Sequence, residues 1–442
     1  MGFVRVPQPT TIAALSSGSL PSGVAVIRLS GPHAFAVVGQ MTGNLPAPRT
    51  LALRTLHHPH TGESLDRGLI AVFPAPYSFT GEDCAELQVH GSPAGVRAIL
   101  DALIGHPGVG LAGAGDFTRR AFENGKLDLT AIEGLGDLLA AETEAQRRQA
   151  LARLEGGLGD TIVAWRDLLL DARAEIEARL DFSDEDDVPF ALPDHFAADL
   201  EILRDALSQA HAGYDGGRIV REGFRVVLAG APNAGKSSLL NSLAGSELAI
   251  VTAEAGTTRD TKDVAMDLGG HLVTLTDTAG LRETASLAEE EGIRRAREAM
   301  TRADLVLLLT EPGTQSPALE ITDTPIWRLS SKADLQASPD VGSDLMFSAK
   351  TGQGLDVLLN RLRTHIEAQT GSAEPSLVSH LRDRDALAGA IAHVRGALSR
   401  MDQPELCAEE LRRAADTLAG LIGLMDNEAV LDRLFAGFCI GK

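Results

Sequence analysis

Gly230-Ala-Pro-Asn-Ala-Gly-Lys-Ser237 constrains this chain more than any other stretch, because it lies between a strand pattern and a helix pattern. Phe224 to Ala229 (FRVVLA) reads as a buried parallel strand. Lys236 to Ala244 places Leu239, Leu240 and Leu243 on one helical face, with Gly245 as a natural stop. In that setting the loop is a phosphate cradle. Backbone N–H groups across Asn233, Ala234, Gly235, Lys236, Ser237 and Ser238 curl around phosphate oxygens. Lys236 adds positive charge at the β- and γ-phosphates, and the Ser237 hydroxyl can ligate Mg²⁺. A glycine-rich turn that binds nothing would not need strand, helix, Lys and Ser in register.

The chain has 442 residues, enough for two to four domains with separate cores. Its three cysteines, Cys84, Cys407 and Cys439, are widely spaced and odd in number, which excludes a disulfide framework and fits a reducing compartment. No basic region followed by an apolar core opens the sequence, and the run Leu305 to Leu309 is too short to span a bilayer. The expectation is a soluble, cytoplasmic protein without membrane contact. A net charge of −21 argues against non-specific polyanion binding, so a nucleic-acid substrate would need a local patch or a basic partner. The His57-His-Pro-His60 cluster reads as a surface loop, and Ser183-Asp-Glu-Asp-Asp187 as a solvated connector without EF-hand spacing.

The fold class expected is multidomain, α/β and α. Residues 1–121 carry Gly- and Pro-punctuated β-like runs, Val24 to Leu29 and Ala85 to His90. After the breakers Gly91 to Gly95 comes a helix, Val96 to Leu103, and the segment reads as an N-terminal α+β domain. Residues 122–217 are helical, with Leu151, Leu154, Leu158, Ile162, Trp165, Leu169, Ala172, Ile176 and Leu180 as a bundle seam that Gly156, Gly157 and Gly159 kink or divide. Residues 218–371 form a nucleotide domain, and 372–442 return to helical patterning. The last segment is marginal alone, so the two helical stretches are expected to form one bundle into which the nucleotide domain is inserted.

Four further elements refine the nucleotide reading. Gly256-Thr-Thr-Arg-Asp260 offers Thr258 as a second Mg²⁺ ligand. The strand His271 to Thr276 delivers Asp277-Thr278-Ala279-Gly280, whose Asp reaches Mg²⁺ through water and whose Gly N–H senses a γ-phosphate. Ser331-Lys332-Ala-Asp334 follows the strand Ile326 to Ser330; one carboxylate, Asp334, can accept from both guanine N1–H and the exocyclic amine. Ser331 stands where GTPases usually carry Asn. Ser348-Ala349-Lys350 resembles the fifth GTPase motif, and with all five in order GTP is expected over ATP. Leu281 occupies the place of the water-orienting Gln of Ras-like GTPases. Either hydrolysis is negligible or the catalytic group comes from elsewhere, with Glu289 the leading candidate and a solvated acidic run the competing one.

Longer motifs go beyond a generic GTPase: Phe79-Thr-Gly-Glu-Asp83 with Glu86, Arg120 to Leu129 (RAFENGKLDL), Ala249 to Asp260 (AIVTAEAGTTRD) and the terminal Phe438-Cys-Ile-Gly-Lys442. With them the chain resembles the tRNA-modification GTPase family MnmE, or TrmE, over essentially its whole length. The resemblance implies a homodimer joined through N-terminal domains that bind 5-formyl-tetrahydrofolate or a related folate, with Arg28, Glu86, Lys126 and Lys442 contacting it. It also implies K⁺ held by Asn233, Thr252, Glu254 and Thr257, nucleotide contacts by Thr252, Thr257 and Thr258, Glu289 as the catalytic glutamate, and Cys439 as the essential C-terminal cysteine. The implied activity is a K⁺-stimulated GTPase acting with an FAD-dependent MnmG (GidA)-like partner at C5 of the wobble uridine of tRNA. One departure is Ser17-Gly-Ser-Leu-Pro-Ser-Gly-Val24, in place of the family's Pro-Gly-Arg-Gly-type loop. An Era- or Der-like GTPase of ribosome assembly is the rival, and it predicts a basic RNA-binding domain that the sequence does not show. A scaffold whose G domain only stabilises assembly is the second.

Overall fold

The computed structural model describes residues 10–181, 192–250, 263–277, 294, 297–314, 324–335, 342–371, 376–424, 434–438 and 440–441. Two compact units result, one of Met1–Gly136 with Ile422–Lys442, the other of Asp137–Leu421.

In the first unit β1 (Thr11–Leu15), β2 (Ser22–Ser30), β3 (Ala52–His57), β4 (Ser64–Phe73), β5 (Cys84–Gly91) and β6 (Val109–Leu111) form one sheet in the order β3-β4-β5-β2-β1-β6. All pairings are antiparallel except β1 with β6. The period-two alternation of β2 buries Ala25, Ile27 and Leu29, which join Ile70, Val72, Leu87 and Val89 and the buried faces of helices Ala34–Thr42 and Pro93–Ile104 in one core. The second helix begins inside the stretch expected to be breakers. Ser92 caps it by accepting from the Gly95 N–H, and Pro93 occupies the first turn, where its missing N–H costs nothing. At the end of the chain Phe435 packs with Leu129 and Ile132, and Ile440 forms a β-bridge with Ala114.

The second unit holds β7 (Phe224–Gly230), β8 (Asp263–Leu268), β9 (His271–Asp277), β10 (Leu305–Thr310), β11 (Ile326–Ser330) and β12 (Leu345–Met346), in the order β12-β11-β10-β7-β9-β8. Every pairing is parallel except the β8–β9 hairpin. All six residues of β10 are buried, as a central parallel strand covered on both faces requires. Truncating Leu307 to Ala there should cost about 2–5 kcal/mol. Because β7 lies between β9 and β10, with the later strands β10, β11 and β12 placed on its other side from β8 and β9, the crevice beyond the carboxyl end of β7 is where such sheets bind ligands. The multidomain α/β and α class read from the sequence is what the structure shows.

This unit carries the helices Glu144–Leu154, Gly157–Asp181, Phe196–Ala212, Tyr214–Glu222 and Leu381–Leu398, and Pro404–Ile422 up to Leu421, besides Lys236–Ala244 and Leu355–Thr370. Gly156, at φ +93°, divides the first two, and Leu158, Ile162, Leu169 and Ile176 are buried as the seam predicts. The helix Glu144–Leu154 departs from the expected seam. Its buried face is Gln146, Gln149, Ala150 and Arg153, whereas Leu151 and Leu154 are only half-buried. The inversion has a hydrogen-bonding cause. Gln146 Nε2 donates to Arg221 O (2.9 Å), Gln149 Nε2 to Gly217 O (3.0 Å) and Ser376 O (2.6 Å), and Arg153 Nη1 to Leu377 O, all carbonyls of the two segments flanking the sheet. Left unpaired in the interior, each carbonyl would cost about 1–3 kcal/mol. Ala145 N–H, one of the orphan donors of the helix start, bonds Gly270 O in the β8–β9 turn (3.1 Å). Among the described residues no helix is long and apolar enough to cross a membrane.

Candidate functional site

The crevice at the end of β7 is built by close backbone approach. Gly230 has φ +142°, and a Cβ there would lie 2.3 Å from Leu309 O of β10, so no larger residue fits. Asn233 and Gly235 also take positive φ (66° and 95°), and the helix Lys236–Ala244 starts immediately after them. This arrangement turns the helix N-terminus toward the crevice, where it favours anionic ligands. Lys236 is buried, and its ammonium donates to Gly230 O and Ala231 O, both at 2.8 Å, which ties the loop together from inside. Ala234 is buried in the sheet core, while Asn233 and Ser238 are exposed. At the adjacent end of β9, the buried Asp277 accepts from the Ser237 hydroxyl (2.8 Å). These two oxygens, one hydroxyl and one carboxylate, suit a hard cation such as Mg²⁺.

The base-side motifs emerge from β11 and from the loop after β12. Ser348, fully buried, donates its hydroxyl to Asp334 Oδ1 at 2.7 Å. That hydrogen bond, working against burial and helped by the charges of Lys350 and Lys332, holds the Asp334 carboxyl below its usual range. Asp334 is therefore an acceptor at neutral pH, as guanine recognition requires. Ser331 is buried, and its N–H and hydroxyl both donate to Thr310 O (2.9 and 3.1 Å). Its Cβ faces Gly235 of the phosphate loop, at 3.4 Å from where a Cβ on that glycine would stand. Ala349 packs on the same core, and Lys350 is exposed.

A second cluster lies in the N-terminal unit. Arg28 and Glu86 are register partners on β2 and β5, and Arg28 Nε and Nη2 both donate to Glu86 Oε1 (3.1 and 2.9 Å). The guanidinium also sits over Phe79 (5.3 Å) and Phe117 (5.8 Å). Lys126 is exposed, and its stem runs 3.1 Å from the position of a Cβ on Gly81, so it borders the same 79–83 loop. Glu82 and Arg120 belong to the motifs Phe79–Asp83 and Arg120–Leu129, and nothing in those motifs alone pairs them. In the structure Arg120 Nη1 bonds Glu82 Oε2 (2.8 Å), Thr10 O and Ser30 O, while the Ser30 hydroxyl donates to Glu82 Oε2 (2.6 Å). The 79–83 loop is thereby fixed beside Arg28. Thr252, Glu254, Thr257, Thr258, Thr278, Ala279, Gly280, Glu289, Cys439 and Lys442 lie outside the described residues.

Comparison with known proteins covers both clusters. Residues 11–126 match the GTP-binding protein TrmE N-terminus, and residues 129–439 match the MnmE helical domain. The tRNA modification GTPases MnmE of Azorhizobium caulinodans and Rhizobium meliloti are each 48% identical to this chain, over 434 and 437 residues, covering 98% of it and 99% of each relative. The chain belongs to the MnmE family. Membership carries the GTPase reading of the motifs at β7, β9 and β11. Solved structures similar to parts of the chain include the G domain of the FeoB iron transporter of T. maritima (23% identical, 32% of this chain and 98% of that one, TM-score 0.24). Era of Aquifex aeolicus is another (20% identical, 38% of this chain and 66% of that one, TM-score 0.27).

Proposed function

We propose that this MnmE-family chain is a K⁺-stimulated GTPase that works as a homodimer with an FAD-dependent MnmG-like protein. Together they install an aminomethyl-type group at C5 of the wobble uridine of certain tRNAs, using a folate one-carbon unit. The observation that carries the proposal is that a family match over 98% of the chain spans both the phosphate crevice and the Arg28–Glu86 cluster. A GTPase acting only as a regulator of assembly has no use for the second.

Each site supplies suitable chemistry. Lys236 and the backbone around Asn233 to Ser238 bind phosphates, Asp334 selects guanine, and Ser237 with Asp277 would hold Mg²⁺, which supplies charge neutralisation at the phosphates when bound. Thr258 belongs to the same Mg²⁺ proposal, and Asn233, Thr252, Glu254 and Thr257 to the K⁺ proposal. Arg28, with Lys126 and Lys442, suits the carboxylates of a folate tail, and Glu86 suits the amino and ring N–H donors of a pterin. Opening and closing driven by GTP turnover, rather than GTP chemistry itself, would serve the modification.

The test is mass spectrometry of wobble uridines in tRNA from a strain lacking the protein. Loss of the C5 substituent is expected, restored by the wild-type gene and not by Lys236→Ala. Unchanged nucleosides would overturn the proposal.

A further inference from the structure

Beyond the motif residues, one carboxylate at the base end of the crevice has a geometry that none of the GTPase motifs explains. Glu311 is the first residue after β10, and Lys332 is the second after β11. Because the strands are parallel neighbours with Thr310 opposite Ser330, both side chains leave the sheet at the same edge. Lys332 Nζ lies 2.8 Å from Glu311 Oε1. Lys332 reaches this place with φ +56°, and Ser331 locks the turn by its two hydrogen bonds to Thr310 O. A non-glycine residue in the left-handed region is held there by its surroundings, and such positions concentrate at ligand sites.

The alternative partner for Lys332 is close by. Asp334 lies two residues on, in the turn that the Leu335 N–H closes onto Lys332 O (2.9 Å), and it is the carboxylate that guanine needs. An ammonium that settled on Asp334 would occupy the acceptor oxygens and would have to be displaced before a base could bind. We propose that Glu311 is a positioning residue for guanine-nucleotide binding, which draws the Lys332 ammonium away from Asp334 and keeps that carboxylate open to the base. The inference rests on the guanine reading of Asp334. With side chains 42% and 32% exposed, the Lys332–Glu311 pair contributes little to folding. Its consequence lies in where the ammonium rests before the nucleotide arrives.

The test compares GTP turnover and GDP titration for the full chain, Glu311→Gln, Lys332→Met and the double variant. Glu311→Gln should raise KM for GTP and weaken GDP roughly three- to fivefold, the size expected of an exposed ion pair, with kcat unchanged. In the Lys332→Met background the same change should have no further effect, since the competing ammonium is gone. Equal affinities for wild type and Glu311→Gln would overturn the proposal, as would additive losses in the double variant or a fall in kcat. Failure of the wild type to prefer GDP over ADP would instead overturn the guanine reading itself, and that outcome is separately visible.

Discussion

Arg153 and Asp383, 230 residues apart, form an ion pair with both side chains out of contact with solvent and a 2.8 Å separation between Nη1 and Oδ2. Asp383 is also the N3 residue of the helix Leu381–Leu398, and its Oδ2 accepts the backbone N–H groups of Ser379 and His380. The pair therefore fixes the point at which the chain returns to the helices after the nucleotide sheet. Removing one partner of a buried pair leaves an uncompensated charge, so Arg153→Met should destabilise the second unit by about 3–5 kcal/mol.

The same pair sets an acid dependence. Burial alone would push the Asp383 carboxyl up, but Arg153, by charge and hydrogen bond, brings it below the ordinary value. A carboxyl depressed in the folded state adds stability above its unfolded pKa, and that stability is lost as pH falls through the folded pKa. The stability gap between wild type and Arg153→Met should therefore be widest at pH 7 and narrow below about pH 4. Urea unfolding at both pH values measures it. A gap independent of pH would assign the cost to packing alone.

Much of the nucleotide sheet was legible because β7 and β10 are parallel strands largely covered on both faces, which read as nearly continuous apolar runs. The polar seam of Gln146, Gln149 and Arg153 was not. An inward-facing polar stripe looks like a solvated face until its partners are known, and those partners are 68 to 230 residues distant. Beyond Gly156 the expected seam is buried at Leu158, Ile162, Leu169 and Ile176 and half-buried at Trp165, Ala172 and Leu180. At the sites, Arg28 and Glu86 meet through strand register, which follows from sheet topology rather than from either local motif. Glu82 and Arg120 were similarly visible only as letters in a motif until the fold joined them.

Cys407 is buried, and burial, with Glu410 nearby, pushes its thiol up to about 11. At pH 7.5 on the order of one molecule in a few thousand carries the reactive thiolate there. Native protein treated with iodoacetamide should therefore leave Cys407 unmodified, whereas urea-unfolded protein should label it fully. Rapid native labelling, mapped by peptide mass spectrometry, would contradict the burial.

If Asp334 binds guanine, Ser331, standing where GTPases usually carry Asn, is the place where a longer amide should add a contact to the base. Its Cβ faces Gly235 at the phosphate loop, and its hydroxyl is spent on Thr310 O. Ser331→Asn should tighten GDP and GTP about 2- to 10-fold, the worth of one added hydrogen bond, and leave ATP unaffected. Fluorescent-nucleotide titration decides it; weaker binding would mean that the buried site cannot accommodate the amide.

If Glu289 orients the attacking water, Glu289→Ala should lower kcat by about 10²-fold or more with little change in nucleotide affinity. K⁺ should raise wild-type turnover above the rate in Na⁺ at matched ionic strength. Single-turnover assays in the two salts separate the effects. Wild-type rates from the variant would return Glu289 to a solvated acidic face.

The end of the chain offers the sharpest separation of the two sites. Gly441 has φ +94°, a Cβ on it would lie 2.2 Å from Leu15 O, and its carbonyl accepts the Ser16 hydroxyl (2.9 Å). Leu15 follows Ala14, the register partner of Arg28, so the backbone before Lys442 is seated at the end of β1, the strand next to the one that carries Arg28. Terminal residues are usually tolerant, but this one is locked by geometry that only glycine satisfies. Gly441→Val should therefore act like deletion of residues 439–442, abolishing wobble-uridine modification while leaving GTP affinity and turnover intact. Lys442→Ala should weaken folate binding, and Cys439→Ser should spare folate while impairing modification. Folate calorimetry beside tRNA nucleoside analysis distinguishes the variants. Normal modification by the truncated protein would show that the tail serves the fold of the first unit and not its chemistry.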